Sequence, residues 1–207
     1  MINENGDPIK GSPTSTLGDR FESALLFALR LHSNQTRKGT SVPYISHLMS
    51  VSSLVLESGG SEDEAIAALL HDSVEDQGGI ATLEKIRLKF GNRIAEIVDG
   101  CTDSYTIPKS PWKSRKKAYL EKLDRASVEV HRVSLADKLH NARSLLRDLR
   151  IFGEPVWNKF SGGKTGTLWY YHELIKTYKK IGSNWMIDEL ENVVKQIEII
   201  GGSHDPG

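Results

Sequence analysis

Cysteine is almost missing from this sequence. Cys101 is the single one in 207 residues, so no internal disulfide can form and no cysteine cluster can build a closed structural zinc site. Long apolar runs are missing too: no stretch approaches the roughly 20 residues of a membrane-spanning helix. Neither sign of charge is in excess. The 27 lysines and arginines balance 27 aspartates and glutamates, leaving no global field to attract nucleic acid or a membrane surface. Apolar and polar residues never alternate long enough for a convincing strand, and no internal repeat appears. The start, MINENGDPIKGSPTST, has neither the charged beginning nor the apolar middle of a secretory signal. A cytoplasmic protein with no nucleic-acid or membrane partner is expected.

What the sequence does contain is helical periodicity. Phe21, Ala24, Leu25, Ala28 and Leu29 form one stripe, and Ile45, Leu48, Met49, Ser52 and Val55 a second, which Gly59 and Gly60 close. Ser61 followed by Glu64 has the pattern of a capping box, and from it one helix is expected to run through Ile66, Leu69 and Leu70 as far as Asp76, stopped by Gly78 and Gly79. Further helices are expected at about 82–90, 92–100, 112–125, 127–150, 166–181 and 184–199. Residues 1–17 and 201–207 are rich in small and polar types and are expected to be loose tails around one domain, 18–200. The fold class is all-α, a globular packing of about eight to ten helices.

The stretch AIAALLHDSVEDQGG, residues 65–79, carries an apolar helix into four ionisable groups, His71, Asp72, Glu75 and Asp76. Residues three and four apart share a helix face, so these carboxylates would repel one another, and a bound cation is the economical explanation. His71 and Asp72 can both turn towards one ion if the helix releases the chain just beyond them. Two ligands are too few. His47 and Asp137 are the candidates to complete the set, since Asp137 sits among Leu135, Ala136 and Leu139 where a lone carboxylate is poorly solvated. Taken alone, Asp137 reads better as a salt-bridge partner of Lys138, Arg132 or Arg143. Two imidazoles with two carboxylates suit manganese, iron or zinc, with room left for water or substrate oxygens.

Four segments in order, RKGTSVPYISH, ALLHDSVED, FGNRIAEIVDGCTD and LADKLHNAR, resemble the HD-domain hydrolases of the RelA/SpoT alarmone group, in particular its small hydrolase-only members. The resemblance covers about residues 21–150, and 207 residues leave no room for the synthetase and regulatory domains of the long members. It implies metal ligands at His47, His71, Asp72 and Asp137, with manganese the usual ion and another divalent transition metal as the alternative. It also implies that Glu75 and Asp76 orient and deprotonate the attacking water. Arg37, Lys38, Tyr44, Asn141 and Ser144 are the implied nucleotide-binding residues. The implied reaction removes the 3′-pyrophosphate of ppGpp or pppGpp. Ser134 and Gln77 stand where the group usually has lysine and threonine, which leaves the preferred base open. The alternatives are a broader phosphohydrolase of ppApp, NADPH or nucleoside monophosphates, and a non-enzymatic nucleotide-sensing or partner-binding domain. A homo-oligomer is left open.

Other conspicuous residues have plainer explanations. His32 continues an apolar stripe and is expected in the core, while His131, His140 and His172 are assigned structural or surface roles. The basic run KSPWKSRKK, 109–117, reads first as a solvated helix face, with a phosphate-facing rim role open. GGKT at 162–165 resembles the end of a phosphate-binding loop, but Asn158 occupies the position of the first glycine and no strand precedes it. Lys164 and Tyr178 are minor candidates for the pocket.

Overall fold

The computed structural model describes residues 17–105 and 108–202. Most of the two expected tails, and His204 with them, lies outside the described residues. Ten α-helices are present among the described residues: α1 (Asp19–Leu31), α2 (Ile45–Glu57), α3 (Glu62–Leu70), α4 (Ser73–Asp76), α5 (Ile80–Phe90), α6 (Asn92–Cys101), α7 (Trp112–Leu123), α8 (Val128–Phe152), α9 (Gly163–Lys179) and α10 (Trp185–Gly202). A 3-10 helix, Glu154–Lys159, joins α8 to α9. The pairing of Thr36 with Pro43 is one isolated antiparallel bridge. Gly201 and Gly202 continue α10 and do not begin a tail. None of the described helices is long and apolar enough to cross a membrane.

Two helices carry the architecture. α3 lies against α1, α2, α6 and α8, and every residue from Glu64 to Leu70 is buried. Its small residues Ala65, Ala67 and Ala68 let the neighbouring helices approach, while Ile66, Leu69 and Leu70 fill the gaps between them. The 25-residue α8 also packs on α10, α2 and α6. The Ser61–Glu64 capping box is formed: Glu64 N–H donates to Ser61 Oγ at 3.4 Å, and Ser61 N–H donates to Glu64 Oε2 at 2.8 Å. Arg132 on α8 pairs with the other oxygen of Glu64, its Nε 2.9 Å from Oε1, so the cap also ties α8 to α3. Leu29 and Met49, at the edges of their stripes, stand nearly half exposed.

The structure departs from the expected continuous helix through Asp76. α3 stops at Leu70, His71 and Asp72 form a turn, and α4 restarts for four residues. The break falls on the histidine and aspartate themselves: Asp72 caps α4, its carbonyl accepting from Asp76 N–H at 3.0 Å, so Glu75 and Asp76 continue from Asp72 in a new turn after α3 has ended. Gly78 and Gly79, with φ of 117° and 61°, then turn the chain into α5 in conformations that a side chain would strain.

The GGKTG segment also has a packing role. A Cβ on Gly162 would lie 2.7 Å from Trp112 and one on Gly166 3.1 Å from it, so the two glycines form a seat for the indole. Lys164 donates to the Gly201 carbonyl and pairs with Glu154, away from the cleft described below. Tyr178 is buried and hydrogen-bonds Ser134 at 2.7 Å, so it does not line that cleft either.

A methyl group on Gly100 in α6 would stand 2.5 Å from Val130 Cγ2 and 2.9 Å from its Cγ1. Gly100→Ala is therefore expected to destabilise the protein by about 1–3 kcal/mol despite the gain in helix propensity. A lowered urea midpoint is the measurement, and an unchanged or raised midpoint contradicts the packing described.

Candidate metal centre and active site

Four side chains converge where the α3–α4 turn meets α2 and α8. His47 Nε2 lies 3.2 Å from Asp137 Oδ1 and 3.4 Å from Asp72 Oδ2. His71 Nε2 lies 3.0 Å from Asp72 Oδ2 and 3.6 Å from Asp137 Oδ1. Both Nε2 atoms are buried and have no hydrogen-bond partner. Ligand atoms of His47, His71 and Asp137 all lie within 4.8 Å of one another, a spacing able to hold a metal ion. Two bare imidazole nitrogens directed at carboxylate oxygens fit a divalent transition cation, whose coordination would use these lone pairs.

The remaining valences of the four groups are used by neighbours. His71 Nδ1 donates to the Ala68 carbonyl at 2.8 Å, and His47 Nδ1 lies 2.8 Å from His140 Nδ1. Tyr44 OH donates to Asp72 Oδ2 at 2.6 Å. Asp137 accepts from Lys138 on Oδ2 and from Asn141 on Oδ1. The salt-bridge and cluster explanations of Asp137 are thus compatible, because Lys138 takes one oxygen and the other faces the imidazoles. Arg132 pairs with Glu64, and Arg143 with Glu189. Burial opposes ionisation of Asp72 and Asp137, yet the neighbouring imidazoles, with Lys138 for Asp137, outweigh it and hold both carboxyls well below their ordinary range. Burial likewise opposes charge on His71, but the same carboxylates raise it well above an ordinary histidine. In the cation-free centre a proton is therefore drawn to the position a metal would take.

Glu75 and Asp76 sit beside this centre on the wall of a cleft of about 670 Å³, within the size range of small-molecule sites. Gln35 Nε2 donates to Asp76 Oδ2 at 2.8 Å, and Lys109 pairs with Glu75 at 2.5 Å and Asp76 at 3.8 Å. Burial and the adjacent Asp103 push Glu75 up to about 7, with Lys109 acting against them. Asp103 is held down by Lys116 and Arg115, despite burial, and accepts hydrogen bonds from both cations. Asp76 is also raised, by burial and by Asp72.

The five expected nucleotide residues, Arg37, Lys38, Tyr44, Asn141 and Ser144, all line the cleft. Arg37 and Lys38 project from a tight turn in which Arg37 N–H donates to the Val42 carbonyl and Tyr44 N–H to the Gln35 carbonyl. The Arg37 guanidinium lies over the Tyr44 ring at 5.6 Å and donates to Asn141 Oδ1 at 2.6 Å. Lys38 reaches the Lys159 carbonyl.

Gln35, Arg147, Lys159, Tyr170 and Tyr171 line the cleft without a signal in the sequence, and Lys138 and Trp112 line it although the sequence marked them only as a salt-bridge partner of Asp137 and as part of the basic run. The spacing of Gly162 and Gly166 was the available signal for a large group seated there. Arg115 and Lys116, from the basic run, also line the cleft, so that run is only partly a solvated face. His32 is buried between Gln35 and Ser73, as expected of a core histidine, and His172 pairs with Glu198 at the surface.

The HD domain family model matches residues 24–167. Guanosine-3′,5′-bis(diphosphate) 3′-pyrophosphohydrolase MESH1 of Xenopus tropicalis is 41% identical over 124 residues, which span 58% of this chain and 66% of that protein. The matched stretch is thus slightly under two thirds of this relative's length. The Drosophila melanogaster protein of the same name is 32% identical over 143 residues, covering 68% of this chain and 75% of the relative. A solved structure described as a metazoan ortholog of SpoT that hydrolyzes ppGpp superposes with a TM-score of 0.72 at 25% identity, covering 90% of this chain and 98% of the other.

Manganese added to the cation-free protein is expected to raise its melting temperature by mass action, and more at pH 8 than at pH 6, because binding must displace the proton drawn to His71. Asp72→Ala is expected to remove the shift. A shift of equal size in that variant, or one that grows as the pH falls, contradicts this description of the centre.

Proposed function

The chain belongs to the HD-domain family, and from that membership we propose that it is a manganese-dependent alarmone hydrolase removing the 3′-pyrophosphate of ppGpp or pppGpp. The observation that carries the proposal is the pair of bare, buried Nε2 atoms of His47 and His71 facing Asp72 and Asp137, with the Glu75–Asp76 pair beside them on a cation-lined cleft. The names of the relatives support the substrate class. A cytoplasmic location suits a chain with one cysteine.

In this proposal His47, His71, Asp72 and Asp137 hold the ion. When bound, it would supply Lewis-acid stabilisation of the charge building on the phosphate. The protein's own groups do the rest. Arg37, held over the Tyr44 ring and hydrogen-bonded to Asn141, offers its planar guanidinium as a face on which a purine stacks. Lys38, Lys109, Arg115 and Lys116 supply positive charge for the phosphates, and Ser144 adds a hydroxyl to the same wall. Glu75 or Asp76 takes a proton from the attacking water, whose oxygen bonds to the phosphorus on the 3′-oxygen. The bond from that phosphorus to the 3′-oxygen breaks, the sugar oxygen leaves and gains a proton, and pyrophosphate is released. A carboxyl raised to about 7 is a better base at neutral pH than an ordinary glutamate.

With manganese and ppGpp, the expected products are GDP and pyrophosphate, and Asp72→Ala is expected to lower kcat by at least about 100-fold. Chromatography of products from ppGpp, ppApp, NADPH and simple nucleotides tests this. Orthophosphate as the only product, or preference for another member of the panel, overturns the assignment. Asp103→Asn removes the like charge beside Glu75. The acid limb of kcat/KM, which rises as the base loses its proton, is then expected to move to lower pH. A limb that stays in place or moves to higher pH counts against Glu75 as the base.

A further inference from the structure

His140 has no counterpart among the functional residues assigned above, yet it touches the centre. Its Nδ1 lies 2.8 Å from Nδ1 of the fully buried His47, with the ring centroids 4.8 Å apart. Two like nitrogens at this distance need one proton between them. Without it their lone pairs face each other, and with two the hydrogens collide. His47 Nε2 forms no hydrogen bond, although Asp137 Oδ1 lies 3.2 Å away. For that nitrogen to offer a lone pair to a cation, the single proton of the neutral ring must be on Nδ1. His47 is then the donor, His140 Nδ1 is the bare acceptor, and the proton of His140 lies on its own Nε2.

We propose that His140 is a positioning residue that fixes the metal-binding tautomer and ring orientation of His47. The inference rests on the metal centre put forward under Proposed function. His71 provides the contrast. Its Nδ1 donates to the main-chain carbonyl of Ala68, an acceptor that side-chain substitution cannot remove. The tautomer of His71 is therefore set by the backbone, and that of His47 by a side chain. Partners of this kind, donated to by a ligand's second ring nitrogen, commonly change metal affinity 10–100-fold when removed.

The first measurement is nitrogen-detected histidine NMR on the zinc-loaded protein. His47 is expected to be protonated on Nδ1 and His140 on Nε2. The second is manganese affinity, read as free manganese by electron paramagnetic resonance. His140→Phe keeps an aromatic ring but removes the acceptor, and it is expected to weaken binding about 10–100-fold. His140→Gln, whose side-chain oxygen can accept, is expected to recover most of the loss. Native-like circular dichroism and an unchanged urea midpoint of the cation-free variants separate positioning from unfolding. A His47 proton on Nε2, or undiminished manganese affinity in a folded His140→Phe, overturns the proposal. None of these readouts involves a nucleotide. Failure to hydrolyse ppGpp would defeat the substrate assignment and leave this one standing, and absence of manganese binding in the unaltered protein would defeat both.

Discussion

Two carboxylates and two imidazoles, brought together in the helical core, set the constraint on which the rest of the site depends. Asp72 Oδ2 and Asp137 Oδ1 approach the same two nitrogen atoms in a place where bare negative charge is costly. Something positive must stand among them. In the cation-free protein that role falls to a proton drawn towards His71 and to Lys138 on the far oxygen of Asp137. A divalent ion held by these four side chains would supply the same positive charge.

The break between α3 and α4 follows from the same constraint. A helix buried on every side has no free face on which to carry charged groups. Stopping α3 at Leu70 lets His71 turn inward while Asp72 accepts from Tyr44, which lines the cleft, and the single turn of α4 presents Glu75 and Asp76 at the cleft wall. Around these acids the cations are arranged in layers. Lys109 contacts Glu75 and Asp76 directly, and Arg115 and Lys116 are held by Asp103. Opposing charges are therefore distributed along the cleft, and the overall neutrality of the chain conceals a strongly polarised site.

The C-terminal third closes this cleft, although the sequence resemblance weakens after residue 150. Tyr170 and Tyr171 on α9 join its wall, and Trp112 is seated on Gly162 and Gly166 at the start of that helix. Segments contributed by α7, the 3-10 helix and α9 thus shape one side of the pocket, and the histidine–aspartate cluster lies on other elements.

Helical periodicity determined the fold class and most of the elements, because burial imposes a repeat that a single sequence displays. The capping box at Ser61, the glycine stops and the long helix through Asp137 are local, and local chemistry was enough to read them. The cluster at His71 and Asp72 was legible because acids at a helix end are electrostatically wrong without a partner, His47 and Asp137 stood out as candidates to complete it, Asp137 for its apolar surroundings, and the ordered motifs implied the same four residues as ligands. Tertiary structure decided what depends on distance in space. Whether Asp137 served a salt bridge or the cluster could be answered only once its two oxygens faced different neighbours. The partners of Glu75, Asp76 and His47 are Lys109, Gln35 and His140, each at least 33 residues away in the chain, and the Trp112 seat joins segments 50 residues apart. Hydrogen bonds and charge pairing act over a few ångströms, and no periodicity in the sequence records which distant residues the packing brings that close.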